Sequence, residues 1–468
     1  MNKVCNVIVV GGGPAGIATT LALLSAGFKV IMIEQSDYNE IRVGEHLLPA
    51  AKLLLTQLGV PRDVWDRKCL HCSEVQSAWG TSKLIYNESI WNPYGGGLIL
   101  NRSYFDSKLA DYAMQCGAVV YKNTAFITCR QLENGWICEL RRNDEVFHLK
   151  AGFLIDATGR SAKVVKSLGY KPEEYDKLIC VAGFCKPLQP HYPVEQCVLL
   201  EACKDGWWYS IRLFDGRIVA TYMTDIDILT DSHKQPLEFW IERLHESQYT
   251  CSRLNAYETA SEVHVRPSQS HKLENVYGDG WLAVGDAAMS CDPLSSAGIL
   301  KGLKMGINAA QALELHLNND SGALARYDEQ AKEDYCTYLK KRAYYYRFVT
   351  RWPKSKFWTR RHSHLPEDTP IYLDPMIAIS LSENVILPGD YSLLNNVISN
   401  IDVEMIFKLA SPAKPSHQLV SLYKKQSNCQ QLDREIILTM QFLIESGYLE
   451  ISNQGNQYPE AINLRTLF

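Results

Sequence analysis

The 468-residue chain has no uninterrupted apolar run near the ~20 residues needed to cross a bilayer. The apolar stretch 7–27 is broken by Gly11, Gly12, Gly13 and Pro14. No basic segment with a small-residue cleavage site accompanies it, so a cytoplasmic chain without a membrane span is expected. Basic charge is not in excess either: 48 Lys and Arg face 52 Asp and Glu, a net charge of −4. That balance gives no overall field for nucleic acid, and no nucleic-acid partner is expected. The 14 cysteines follow no regular spacing. Only Cys69 and Cys72 form a CxxC, with no second pair to complete a zinc site, so buried thiols in a reducing compartment are the expectation. HxxxH, HExxH and GxSxG patterns are missing, which leaves no metal site and no serine nucleophile to propose. Internal repeats and low-complexity segments are missing too.

What remains is an ordinary globular composition, 46% hydrophobic and 21% charged, with 25 Tyr and 10 Trp. The length suggests two or three domains of ~100–200 residues each. Residues 5–10 read as a buried strand, 15–26 as a helix and 29–34 as a second strand, a βαβ unit. Further helices are predicted at 49–58, 104–116, 236–247 and 325–349, with a long one starting near Ser296. Strands at 119–127, 136–141 and 146–149 form a predicted meander, and 153–157 and 280–284 are buried strands. Residues 177–270 alternate as an antiparallel sheet does. Composition shifts after Trp352 and Pro353, where a boundary is placed. Residues 416–451 read as helix, turn, helix and short strand, an order that resembles a degenerate winged helix.

Two glycine-bearing turns carry the chemistry. Gly11-Gly12-Gly13-Pro14-Ala15-Gly16 fits GxGxxG between a strand and a helix. Gly11 suits the tight turn, Gly13 lets a pyrophosphate approach, Gly16 allows helix–strand packing, and Pro14 and Ala15 open the helix whose N-terminus meets the phosphates. Glu34 ends the next strand, at the spacing for a ribose hydroxyl acceptor. Far downstream, a strand ends at Gly285-Asp286, and a loop through Asp292-Pro293 leads to a helix near Ser296 to Gly298. Asp286 can hold a polyol hydroxyl, and the free N–H groups at that helix start can face a reduced ring. A nicotinamide has no use for the second element, whereas FAD extends across the fold and needs both.

At this point the chain resembles the FAD-dependent aromatic hydroxylase superfamily, and especially its tryptophan-halogenase-like branch, over about residues 4–350. The resemblance rests on GGGPAG at 11–16, RVGEHLLP at 42–49, NRSYFD at 101–106, DATGR at 156–160 and GDAAMSCDPLSSAGI at 285–299. It implies an α/β fold, with a Rossmann-like FAD-binding domain interleaved with an antiparallel β-sheet substrate domain and followed by a mainly helical C-terminal region. The expected divisions are 1–75, 101–165 and 271–351 for FAD, 76–100 and 166–270 for the sheet, and 352–468 for the last. It also implies Arg42 and Arg102 near the flavin, Asp286 on the ribitol, and Pro293, Ala297 and Gly298 facing the ring. For the two arginines the competing reading is a surface salt bridge. Asp156 either caps a turn or serves the cofactor.

The halogenases of this branch require a lysine between flavin and substrate, together with a WxWxIP motif. A gapless alignment puts Glu74 in the lysine position, with Lys68 nearby, and Trp207-Trp208-Tyr209 lacks the rest of the tryptophan motif. Hydroxylation is therefore favoured over halogenation. Glu74 either accepts the ring proton or starts a strand facing solvent. Glu45 and His46 lie in the loop that passes beside the flavin in this family, so either can act on a proton. Trp79, Trp207 and Trp208 either line an aromatic pocket or pack the core. The segments around Trp79, Gly95, Trp207 and Trp358 are similar to flavoproteins that mature tryptophan-derived quinone cofactors. That likeness implies hydroxylation of a tryptophan side chain in a precursor protein. The alternatives are a monooxygenase or halogenase acting on a free small aromatic, and a non-catalytic flavoprotein that assists a precursor. Electrons are expected from NAD(P)H or from a separate flavin reductase. The basic stretch 352–364 is a docking patch for an acidic protein, a covering flap over the pocket or a solvated face, and the region beyond it is a candidate surface for the precursor.

Overall fold

The computed structural model describes residues 6–39, 42–88, 95–189, 196–363, 378–381, 401–427, 433–445 and 448–451. The chain divides into two compact units. The first comprises Met1–Ser77, Ile85–Arg342 and Ser355–Phe357; the second comprises Ala78–Leu84, Ala343–Lys354 and Trp358–Phe468. Most of the expected FAD-binding and β-sheet portions fall in the first unit, while 78–84 and 343–351 fall in the second.

In the first unit the opening βαβ is Asn6–Val10, helix Pro14–Ser25 and Lys29–Ile33. The two strands pair in parallel, Val7 opposite Val30 and Val10 opposite Ile33. Phe153–Asp156 joins on the other side, followed by Trp281–Ala283, all parallel; Val119–Tyr121 extends the opposite end. These strands are near-continuous apolar runs because both faces of the sheet are covered, and Phe126, Trp136, Cys138 and Leu140 of the three-stranded meander share their core. The helix Gly298–Leu317 lies against the helix Pro14–Ser25, and Gly306 permits the approach: a Cβ there would be 2.6 Å from the Ala15 carbonyl oxygen. The expected strand 119–127 is two strands in different sheets. Asn123 turns the chain at φ +52°, and Ala125–Leu132 leaves to pair with Gly135–Arg142.

Seven strands form the antiparallel sheet, in the order Val263–Pro267, Leu178–Cys185, Ile218–Asp225, Gly206–Arg212, Cys197–Cys203, Glu74–Ala78 and Ile85–Glu88. One face is packed by the helix Pro236–His245 through Phe239 and Trp240, both fully buried. Gly97–Leu100, expected in this sheet, pairs instead with His46–Leu47 and Cys69–Cys72. Cys69 and Cys72 are free thiols on that last strand.

The second unit has its own core. Ile406, Phe407, Leu419, Tyr423, Ile436 and Met440 from three helices pack together with Ile379 and Leu449. Those two residues belong to Ala378–Leu381 and Leu449–Ile451, which pair antiparallel. Three helices and a small antiparallel sheet surround this core. Among the described residues, no helix is long and apolar enough to cross a membrane.

Candidate active site

The first parallel strand feeds the turn Gly11–Gly16. Gly11 has φ +113°, and a Cβ there would lie 2.1 Å from the Ala157 carbonyl oxygen. A Cβ at Gly16 would lie 1.9 Å from the Gly11 carbonyl oxygen. The protein itself closes those two positions. Gly13 differs, because a Cβ there meets nothing within 4 Å. It is also the N-cap of the helix Pro14–Ser25, and no side chain accepts from the first N–H groups. The donors and the positive helix end are left for an anion. By contrast, Asn101 caps the helix Arg102–Gln115 by accepting from the Tyr104 N–H.

The second turn repeats this openness. Asp292 caps Pro293–Ser295 by accepting from the Leu294 N–H, Ser296 turns at φ +51°, and Ala297 starts Gly298–Leu317 with no side-chain cap. Asp286 receives Lys301 Nζ at 2.6 Å and lies 3.4 Å from Arg160 Nε. Burial pushes the Asp286 carboxyl up, but Lys301 and Arg160 more than offset this and hold it below the usual carboxylate range. Arg160 also donates to the carbonyls of Gln269 and Cys291, at 2.6 and 2.7 Å.

Glu34 is buried. Its Oε2 accepts the Gly12 N–H at 2.8 Å; its Oε1 accepts from the Ser36 hydroxyl and from Arg42. One lone-pair position on Oε2 is left for a ribose hydroxyl. Arg42 and Arg102 are ion-paired, but not as a loose surface bridge: both hold the fully buried Asp106. Asp156 spends both oxygens locally, on Thr158 and on the Val165 N–H, which is the turn-capping reading.

Between the two turns and the seven-stranded sheet lies a cavity of about 900 Å³. Gly13, Pro14 and Ala15 line one end, with Arg42 and Arg102 beside them; Asp286, Pro293 and Gly298 line the middle. Trp207, Tyr209 and Met223 line the sheet side. Open backbone at Gly13, two uncapped helix starts and an ionised Asp286 together suit a phosphate-bearing polyol with a flat ring. The residues therefore fit FAD.

His46 lines this cavity and is held neutral by burial, its pKa pulled down to about 4. Glu45 is fully buried behind it. Burial raises its carboxyl to about 7, against the N–H groups of Glu45 and Gly44 and the charge of Arg102. Its Oε1 has no hydrogen-bond partner.

Of the residues expected at the ring or the substrate, Glu45, Glu74, Trp79, Trp208 and Ala297 are not on the cavity wall, nor is Lys68. Glu74 opens the strand Glu74–Ala78 opposite Glu88, toward the far edge of the sheet. Lys68 stands over the Tyr104 ring, 5.0 Å from its centroid. Trp208, one residue from Trp207, points to the other sheet face and packs on Trp240 and Tyr222. Trp79 belongs to the aromatic cluster of the second unit, edge-on to Tyr346 and Trp358 at 5.6 and 5.7 Å. Sequence reasoning missed Arg160 and Asp106, although both lie in motifs it used. The spacing of Arg102 and Asp106 on a helix is itself an ion-pair signal.

Comparison with known proteins agrees with this geometry. Residues 4–335 match the family model described as the FAD binding domain. A putative FAD-dependent oxidoreductase, LodB of Marinomonas mediterranea, is 29% identical over 360 residues, covering 76% of this chain and 96% of LodB. The flavin-dependent halogenase CmlS superposes with a TM-score of 0.72 at 18% identity, covering 98% of this chain and 99% of CmlS. The peptidyl tryptophan dihydroxylase QhpG, essential for tryptophylquinone cofactor biogenesis, superposes at 0.65 with 19% identity, covering 95% of this chain and 100% of QhpG. The chain belongs to the FAD-binding domain family and is an FAD-dependent oxidoreductase with the halogenase-like fold.

Proposed function

We propose that the chain is a monooxygenase that hydroxylates a tryptophan side chain within a precursor protein, during biogenesis of a tryptophan-derived quinone cofactor. The observation that carries this reading is the cavity wall: among the described residues no lysine lines it. Lys301, the nearest in the second motif, is taken up by Asp286 and the Met289 carbonyl. A halogenase of this branch needs a lysine between flavin and ring, whereas a hydroxylase does not. The peptidyl substrate is suggested by the likeness to QhpG, a peptidyl tryptophan dihydroxylase, together with the wall that lacks a lysine.

Bound and reduced, FAD supplies activation of dioxygen for transfer to an electron-rich ring. The protein's part is positioning. Gly13 and the two helix starts take the phosphates and the ring edge. Trp207 and Met223 give an indole an apolar wall, and Tyr209 adds a ring against which it can stack. His46 stays uncharged near neutral pH and adds no charge of its own to the cavity. Glu45, off the cavity wall behind His46, has an unpartnered Oε1 and a carboxyl raised to about 7, and by way of His46 it can take up the proton lost when the ring regains aromaticity. Electrons reach FAD from NAD(P)H or a separate flavin reductase.

The test uses FAD-loaded protein, chemically reduced and mixed with oxygen and a candidate precursor. Peptide mass spectrometry is expected to find added oxygen on a tryptophan of the precursor and little on free tryptophan. Efficient modification of free indoles alone would replace this reading with a small-aromatic monooxygenase.

A further inference from the structure

Strand register places four cavity-lining side chains in one row across the sheet. Trp207 is opposite Met223, Met223 opposite Cys180, and Cys180 opposite Arg266. In-register neighbours on antiparallel strands point to the same face. The row therefore runs from an indole ring, over two soft sulfur-bearing side chains, to a guanidinium on the sheet's outermost strand, Val263–Pro267.

Four arginines line the cavity: Arg42, Arg102, Arg160 and Arg266. Three are matched by carboxylates: Arg42 and Arg102 by Asp106, and Arg160 by Asp286. Among the described residues Arg266 makes no ion pair; its Nη1 donates to the carbonyl of the adjacent Val265. It stands at the sheet-edge end of the row that begins with Trp207. A guanidinium left unneutralised at the rim of an aromatic cavity suits a ligand bearing a carboxylate beside its ring.

We infer that Arg266 is a specificity residue that reads an acidic group next to the substrate ring. The inference takes the aromatic substrate from the proposed function and adds that the target tryptophan has a carboxylate neighbour. On a strand edge an exposed arginine can also serve only to discourage pairing with other chains, and such a residue would not discriminate between ligands.

Binding of indolepropionate and ethylindole to FAD-loaded protein, followed at low salt through the flavin absorbance, separates these roles. The two probes share the ring and differ in the carboxylate. The wild type should prefer indolepropionate about fivefold. Arg266→Gln should erase that preference and leave ethylindole and FAD affinity unchanged, and Arg266→Lys should keep part of it. A preference that survives Arg266→Gln overturns the inference. So does a wild type with no preference, or no binding of either probe. Weaker FAD binding by Arg266→Gln also overturns it and moves the residue to the cofactor. Because the readout is binding, it stands or falls separately from hydroxylation.

Discussion

Arg42 and Arg102, far apart in the chain, donate to the same oxygen: Oδ2 of Asp106 lies 2.9 Å from each guanidinium. Asp106 is fully buried, so the carboxylate is the hinge of a network running from Glu34 to the Gly44 carbonyl beside Glu45. Replacing it by Asn would leave two partly buried guanidinium groups short of one negative charge. Asp106→Asn is expected to cost about 3 kcal/mol of stability and to weaken FAD binding. Urea unfolding and flavin titration measure the two effects.

The glycines of the first turn should separate folding from cofactor binding. Gly13→Ala places a methyl in open space, at a position whose φ is −81°, so apo stability should stay within about 0.5 kcal/mol of wild type. The same methyl fills the phosphate cradle, and FAD affinity should fall at least about tenfold. Gly16→Ala has no such room and should destabilise the apo protein itself. Thermal unfolding with and without FAD distinguishes the two variants.

Glu45 and His46 give opposite pH dependences of stability. Glu45 has a folded pKa of about 7 against an ordinary 4.5, so the folded state keeps a proton that the unfolded chain has lost. Stability from this group therefore falls as pH rises from about 4.5 to 7 and stays reduced above. His46 has a folded pKa of about 4 against 6.5, so the unfolded chain takes up the proton first. Its contribution is complete above 6.5 and is lost as pH falls toward 4. Between 4.5 and 6.5 the two slopes oppose each other. Glu45→Gln removes the falling one, and stability should then rise with pH more steeply than in wild type, by up to about 1.4 kcal/mol per pH unit. Urea midpoints across that window provide the check; identical slopes would contradict the assignment for Glu45.

Lys301 and Arg160 hold Asp286 ionised from two sides. Lys301→Met should let the burial of Asp286 prevail and raise its pKa, so that FAD affinity begins to fall at a higher pH than in wild type. Flavin titration across the acidic range reads that shift as a midpoint displaced to higher pH.

Both glycine turns were legible because their function is local. Gly11 and Gly16 answer to close backbone contacts, and Asp286 sits in the turn that follows a strand, Trp281–Ala283, whose apolar run is visible. The two tryptophans were not so readable. Alternation says that Trp207 and Trp208 face opposite sides of a strand, but which side meets the cavity is decided by the helix Pro236–His245, which covers the other face with Trp240. Of the two readings of Glu74, the start of a strand is the one the chain takes. A gapless alignment carries a position forward, whereas the chain spends Cys69–Cys72 on a different sheet before Glu74 enters the seven-stranded one. Arg266 gave no signal at all, because its place in the row with Trp207 depends on pairings across four strands.

The central claim is that this site puts oxygen, and not halogen, on a protein-bound tryptophan. Intact-mass and peptide analysis of a precursor, treated with reduced FAD-loaded protein under isotopically labelled dioxygen in the presence of bromide, tests it most directly. The account predicts labelled oxygen on a tryptophan ring and no bromine. Bromine on the ring, or a precursor that binds and stays unmodified, would contradict it.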